Sequence, residues 1–173
     1  MYFHFMKTKL TISLLAGVAL LAGCGKNDNA ASHADAPIAT AAATASSVLT
    51  VEITANDTMK FNISRIEAKA GQEVKIIMTN TGTLPKAVMG HNFVLLAKGT
   101  DEKAFANAAV AAAASDYIPS SMAGNIIAHT KLLGAKQSDE ITFKAPTEPG
   151  EYVFMCSFPA HYLTGMKGVF VVQ

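Results

Sequence analysis

Tryptophan is absent from the 173 residues, and cysteine occurs only twice, at Cys24 and Cys156. Charge is also sparse. Asp, Glu, Lys and Arg make up 16% of the chain, and the formal net charge is +1. The basic residues form no cluster, which excludes the electrostatic footprint of a nucleic-acid binder. Long apolar runs are missing too. The longest, "LTISLLAGVALLAG", has about fourteen residues, too few for a comfortable transmembrane helix. The apolar fraction is 50%, but alanine supplies much of it and adds little core volume. This length suits one domain with a leader and a tail.

That short run is a targeting segment. Lys7 and Lys9 precede it as a basic n-region, and translation starts at Met1 or Met6. It ends in "LLAGC", Leu20 to Cys24, which resembles the bacterial lipobox. Residues 1–23 then read as a lipoprotein signal peptide, with Cys24 as the lipid-bearing first residue of the mature chain. The alternative is ordinary cleavage after a small residue, with Cys24 incidental. Gly25 after Cys24 points to the outer membrane. Loss of Lys7 and Lys9 with the leader turns the formal charge from +1 to −1. Residues 24–47 follow as an Ala/Ser/Thr-rich tether without period, in which His33 is simply solvated. A flexible coil of ~23 residues reaches roughly 25 Å.

From Val48 the pattern changes. "VLTVEIT" alternates apolar and polar residues, as a half-buried strand does. "MKFNISRIEAK", "GQEVKIIMTNTG", "HNFVLLAK", "NIIAHTKLL", "DEITFKAP", "GEYVFMC" and "MKGVFVVQ" follow, separated by turn signals such as "AND", "NTGT" and "EPGE". Eight short strands over about 125 residues predict an all-β, antiparallel Greek-key sandwich across residues 48–173. An alanine-rich insertion, "TDEKAFANAAVAAAASDY", predicts a helix at about residues 101–115, with Thr100 or Asp101 as its cap. Its large apolar residues are Phe105 and Val110, so light packing on one edge is expected.

The chemistry concentrates in "CSFPAHYLTGM". Cys156, His161 and Met166 fall at a C-x4-H-x4-M spacing on the loop between the last two strands. His91 lies upstream in "MGHN". A soft thiolate, two imidazoles and a weak thioether together select copper. A Cys-x4-His pair alone is a weak signal, and the joint pattern is stronger. With Cys24 taken by lipid, Cys156 stands alone where thiols usually pair, and ligation accounts for it. Zinc usually takes more Cys or carboxylate. A cysteine nucleophile would need an oxyanion motif, and none is evident. His129, in "AHTK", alternates outward on its strand and reads as a surface residue.

"NDTMKFN", "LPKAVMGHNFVL", "IIAHTKLLG" and "CSFPAHYLTGMKG" together resemble the azurins, bacterial cupredoxins, over nearly all of residues 48–173. The resemblance implies an eight-stranded Greek-key sandwich holding one type 1 (blue) copper ion. It implies His91, Cys156 and His161 as equatorial ligands, Met166 as the axial thioether and the Gly90 carbonyl as a weak opposite contact. It further implies that Asn92 ties the two ligand-bearing segments together. The backbone N–H groups of Asn92 and Phe158 would donate to the cysteine sulfur, stabilising Cu(I).

Three features depart from azurin. Four residues, "YLTG", separate His161 from Met166 where azurins have three; auracyanins share the longer spacing. No cysteines stand near Thr50 and Gly71, where azurins carry a disulfide, a loss of ~2–4 kcal/mol unless packing compensates. Phe93 replaces the buried tryptophan after G-H-N.

The resemblance implies a one-electron carrier cycling Cu(I)/Cu(II) between periplasmic redox partners, not a substrate-converting enzyme. The expected partners are c-type cytochromes or copper or haem reductases. They would dock on an apolar patch around His161 that includes Leu84, Met89, Phe158, Pro159, Ala160 and Leu163. The expected protein is monomeric and lipid-anchored on the periplasmic side of a bacterial membrane. The alternative is a copper-handling lipoprotein without an electron-transfer role.

Overall fold

The computed structural model describes residues 47–173. The expected signal peptide, Cys24 and all but the last residue of the tether lie outside them. Eight strands form two sheets, as the alternation predicts. One sheet has the order β1 (Leu49–Ala55), β3 (Glu73–Asn80), β6 (Ser138–Lys144). The other runs β2 (Arg65–Ala68), β8 (Lys167–Val172), β7 (Gly150–Met155), β4 (Val94–Leu96), β5 (Ile126–His129). Period-2 alternation sets the inward faces. In β3, Val74, Ile76, Met78 and Asn80 are buried between half-exposed neighbours. Val74, Ile76 and Met78 meet Leu95, Phe154 and Phe170 of the opposite sheet, and Phe93 just before β4, in one core. Phe93 stacks on Phe154 with ring centroids 5.3 Å apart, filling space where a larger indole would stand.

The expected all-antiparallel pairing needs correction. β1 pairs with β3 in parallel, and β2 with β8 in parallel. β1 and β2 belong to different sheets, so β3 reaches β1 by crossing the sandwich and not by a hairpin. The second predicted strand is also shorter than "MKFNISRIEAK". Only Arg65–Ala68 is regular, and Phe61 makes an isolated bridge to Ala55.

The insertion forms α2, Glu102–Val110, capped as expected by Asp101, whose side chain accepts from Ala104 N–H at 2.9 Å. It ends five residues before the predicted boundary, and 3-10 turns at Ala113–Ser115 and Ser120–Asn125 continue the segment. Its packing is tighter than expected. Phe105 is fully buried with Val94, Leu96 and Met155, whereas Val110 stays 54% exposed. Burial of that phenyl contributes about 2–3 kcal/mol. The cover also explains β4. Leu95 faces the main core and Val94 and Leu96 face α2, so "VLL" reads as a continuous apolar run. A one-turn helix, α1 (Lys86–Met89), was not foreseen.

Candidate metal centre

His91 is set by the backbone around it. α1 ends at Gly90, and a Cβ there would lie 2.8 Å from the Lys86 carbonyl oxygen and 3.0 Å from the Leu132 side chain. Only glycine fits that approach. His91 then pairs with Leu133, its N–H donating at 3.1 Å and its carbonyl accepting at 2.8 Å. Buried Asn80 donates through Nδ2 to the Leu133 carbonyl at 3.2 Å and the Met89 carbonyl at 3.4 Å.

Cys156 leaves the end of β7, and the chain turns back on itself at once. Cys156 N–H donates to the Met166 carbonyl at 3.2 Å, and Met166 N–H to the His161 carbonyl at 2.9 Å. Thr164 Oγ1 donates to the same His161 carbonyl at 2.8 Å, and Lys60 Nζ donates to the Thr164 carbonyl. Ala160 adopts a left-handed φ of 70°, a costly conformation for a residue with a Cβ, directly before His161. Two hydrogen bonds join the segments. Asn92 Nδ2 donates to Ser157 Oγ at 2.8 Å, and Ser157 N–H donates to Asn92 Oδ1 at 2.9 Å.

These loops bring His91, Cys156 and His161 together, with ligand atoms all within 4.8 Å of one another. His161 Nδ1 lies 3.4 Å from Cys156 Sγ, and the two imidazole centroids are 4.8 Å apart. All three are buried, at 0%, 0% and 2% exposure. The Gly90 carbonyl oxygen lies 4.0 Å from the sulfur. Met166 is fully buried, with its backbone bonded to both loop donors. His129 is exposed, its Nδ1 beside the Thr130 carbonyl at 3.1 Å.

Burial sets the protonation. It pushes the Cys156 thiol up to about 12, against the opposing N–H groups of Asn92 and Phe158. Burial, and then the neighbouring His91, lower His161 to about 4. Burial also lowers His91, while the Asn56 carbonyl and the Asp57 carboxylate act in the opposite sense. Neither nitrogen of the buried His91 ring meets a partner in hydrogen-bonding geometry, an arrangement seen for no other buried side chain among the described residues. Two neutral imidazoles beside a thiol form a donor set that fits a soft metal, with the thiol proton released on binding.

Residues 47–173 match the family of copper binding proteins, plastocyanin/azurin family. The chain belongs to this family. One copper ion is accordingly the cofactor of this cupredoxin. It is 41% identical over 124 residues to azurin from Alcaligenes faecalis, covering 68% of this chain and 93% of that one. It is 42% identical over 111 residues to outer membrane protein H.8 of Neisseria meningitidis serogroup B, covering 63% of this chain and 60% of the H.8 protein. Among solved structures it resembles dithionite-reduced auracyanin from Roseiflexus castenholzii, with a TM-score of 0.64 and 37% identity, covering 72% of this chain and 96% of that one. Auracyanin A from Chloroflexus aurantiacus, a "blue" copper protein, matches with a TM-score of 0.65 and 33% identity over 73% of this chain and the whole of that one.

Sequence reasoning missed two residues of this cupredoxin. Asn80 was read only as the end of a strand. Its signal was the turn sequence "NTGT" that it opens, because Asn80 Oδ1 accepts from Gly82 N–H at 2.9 Å in an Asx turn. Val88, on α1, is 58% exposed and widens the expected apolar surface, in which Leu84 is 38% exposed. Leu163, Ala160 and half-buried Pro159 expose the loop side, and Met89 is half-buried.

Both histidines bind protons less readily folded than unfolded, so their contribution to stability is complete above about pH 6.5 and falls away below it, in the case of His161 down to about pH 4. Denaturant titrations of the metal-free protein should therefore show stability declining across that window and level between pH 7 and 8. A flat profile from pH 7 to 4 would contradict the burial described above.

Proposed function

We propose that the protein is a one-electron carrier whose copper is held by His91, Cys156 and His161, with Met166 as a weak axial donor. The observation that carries this is the buried thiol and imidazole cluster, in which the unpartnered ring of His91 lies against Cys156 and His161. Copper supplies the Cu(I)/Cu(II) couple. The protein supplies rigidity and shielding. Asn92 and Ser157 fix the separation of the two ligand segments, and the closed Cys156–Met166 turn restrains the loop. Donors that barely move between oxidation states need little reorganisation, which favours fast transfer. N–H groups of Asn92 and Phe158 withdraw charge from the sulfur and favour the reduced ion. The Gly90 carbonyl, 4.0 Å from the sulfur, is a weak opposite contact at most. A copper-handling role would be better served by exposed donors, and these three are buried.

Cu(II) added to the protein should produce an intense visible band at roughly 600 nm, from thiolate-to-metal charge transfer. Cys156→Ser should abolish it. A colourless copper complex, or a band that survives the substitution, would refute the site.

Electrons enter and leave, in this reading, through the apolar surface that carries Leu84, Val88, Pro159, Ala160 and Leu163. Partners would be c-type cytochromes or copper or haem reductases, docking briefly because the surface is small and weakly charged. Val88 is the sharper probe than half-buried Met89. Val88→Lys should slow electron exchange with a soluble c-type cytochrome while leaving the visible band unchanged. An unaltered rate would remove this surface from the pathway.

The protein is further read as anchored through lipid on Cys24, on the periplasmic side of the outer membrane. The lipobox-like "LLAGC" and the similarity to an outer membrane protein support this. The low-complexity stretch after Cys24 would leave the domain room to meet its partners. In a bacterial host, labelled palmitate should enter the wild-type protein, and Cys24→Ala should abolish incorporation and release the protein into the soluble fraction. Labelling that persists in the variant would rule out Cys24.

A further inference from the structure

The inserted helix has no part in the site described so far, yet its contacts fall beside the donors. Phe105 of α2 is buried with Val94, Leu96 and Met155, and Tyr162 packs against the same cluster. Glu102, the first residue of α2, accepts from Lys167 Nζ at 2.6 Å. That ammonium lies 5.1 Å from the centroid of the Tyr162 ring. In the chain, Met155 immediately precedes Cys156, Tyr162 follows His161, and Lys167 follows Met166. One short helix thus touches the neighbour of every donor on the loop.

We propose that α2 is an outer brace for the ligand loop, with Glu102 as a positioning residue acting through Lys167 and Tyr162. This rests on the copper reading above. The physical case is one of leverage. The Cys156–Met166 turn closes on itself through local hydrogen bonds, but those bonds alone leave it free to hinge about its two ends. Phe105 packs against the Met155 end, and the Glu102–Lys167 pair holds the other. Tyr162 lies between them, so motion of His161 away from Cys156 would have to disturb the phenyl cluster or the ion pair. Lys167 and Glu102 are 43% and 25% exposed, so solvent screens the pair and it adds little to overall stability. Its importance lies in where that restraint is applied.

The test compares wild type, Glu102→Gln, Lys167→Met and the double variant. The two single substitutions remove opposite charges from the same contact. A brace predicts the same effect from both: copper transfer to a strong chelator about two- to fivefold faster. Electron self-exchange should slow in both, with the visible band retained. The double variant should be no worse than either single one, because one contact is lost in all three. Reduction potentials shifting in opposite directions, with release rates unchanged, would reduce the pair to simple electrostatics and overturn the brace. Additive losses, or singles that match wild type, would overturn it as well. Wild-type protein without a blue band would sink the copper reading instead. Hydrogen exchange of the 160–166 amides in metal-free protein still decides the brace in that case: faster exchange in both singles supports it, and unchanged exchange overturns it.

Discussion

The hydrogen-bonded pair of Asn92 and Ser157 is the constraint on which the site depends. It is buried, it spans 65 positions of sequence, and both partners stand one residue from a donor. A buried thiol and two buried imidazoles have no reason to associate in the absence of metal. Desolvation keeps the thiol and the imidazoles neutral, and neutral groups attract each other weakly. The scaffold must therefore impose the separation. Removing one partner of such a pair leaves the other buried and unsatisfied, at about 1–3 kcal/mol. The link is correspondingly hard to open. The sheets then act as a frame: β7 ends at Met155 and β8 begins at Lys167, and their antiparallel pairing fixes the ends of the ligand loop opposite each other.

The same logic accounts for the local oddities near His91. Gly90 allows the chain to pass the Lys86 carbonyl and the Leu132 side chain at a distance that a Cβ would forbid. Asn80 gathers the Met89 and Leu133 carbonyls, and Asp57 accepts from Thr83 N–H at 2.9 Å and Thr83 Oγ1 at 2.8 Å. Each bond removes a way for the His91 segment to drift. Ala160 holds a left-handed φ on the other side of the site, a local cost that the closed turn around it must offset.

Much of this was legible from the chain because it is written locally. Alternation in "EVKIIMTN" and "KGVFVV" marks strands wherever one face meets the core, and the burial follows it residue by residue. The meeting of Cys156 and His161 was legible because C-x4-H is a spacing that one loop can close. What was not legible is set by partners far away. Nothing near β1 or β2 says that each joins a different sheet, so the parallel pairings stayed hidden. The strength of the α2 contact was hidden for the same reason. Phe105 is one aromatic in an alanine-rich run, and its burial depends on Val94, Leu96 and Met155 from other elements. Asn80 looked like a strand end because its bonds go to carbonyls nine and 53 positions away.

Long-range contacts are thus where this fold departs from a simple strand count, and they are also where it can tune a metal. Local turns give a loop its shape. Its stiffness comes from what it leans on. In this domain the core holds one side of the ligand loop through Phe158, whose ring is 4.7 Å from that of His161, and the α2 cluster holds the other through Tyr162. A loop gripped from both sides cannot relax by a shift of its whole backbone when the charge at its centre changes. Relaxation is left to the side chains, and His91, Cys156 and Met166 are fully buried in close-packed surroundings that resist it. Overall stability and the stiffness of the ligand loop are therefore partly separate properties of this structure. Contacts such as Glu102–Lys167 add little to the first, and they act at the points where they can matter to the second.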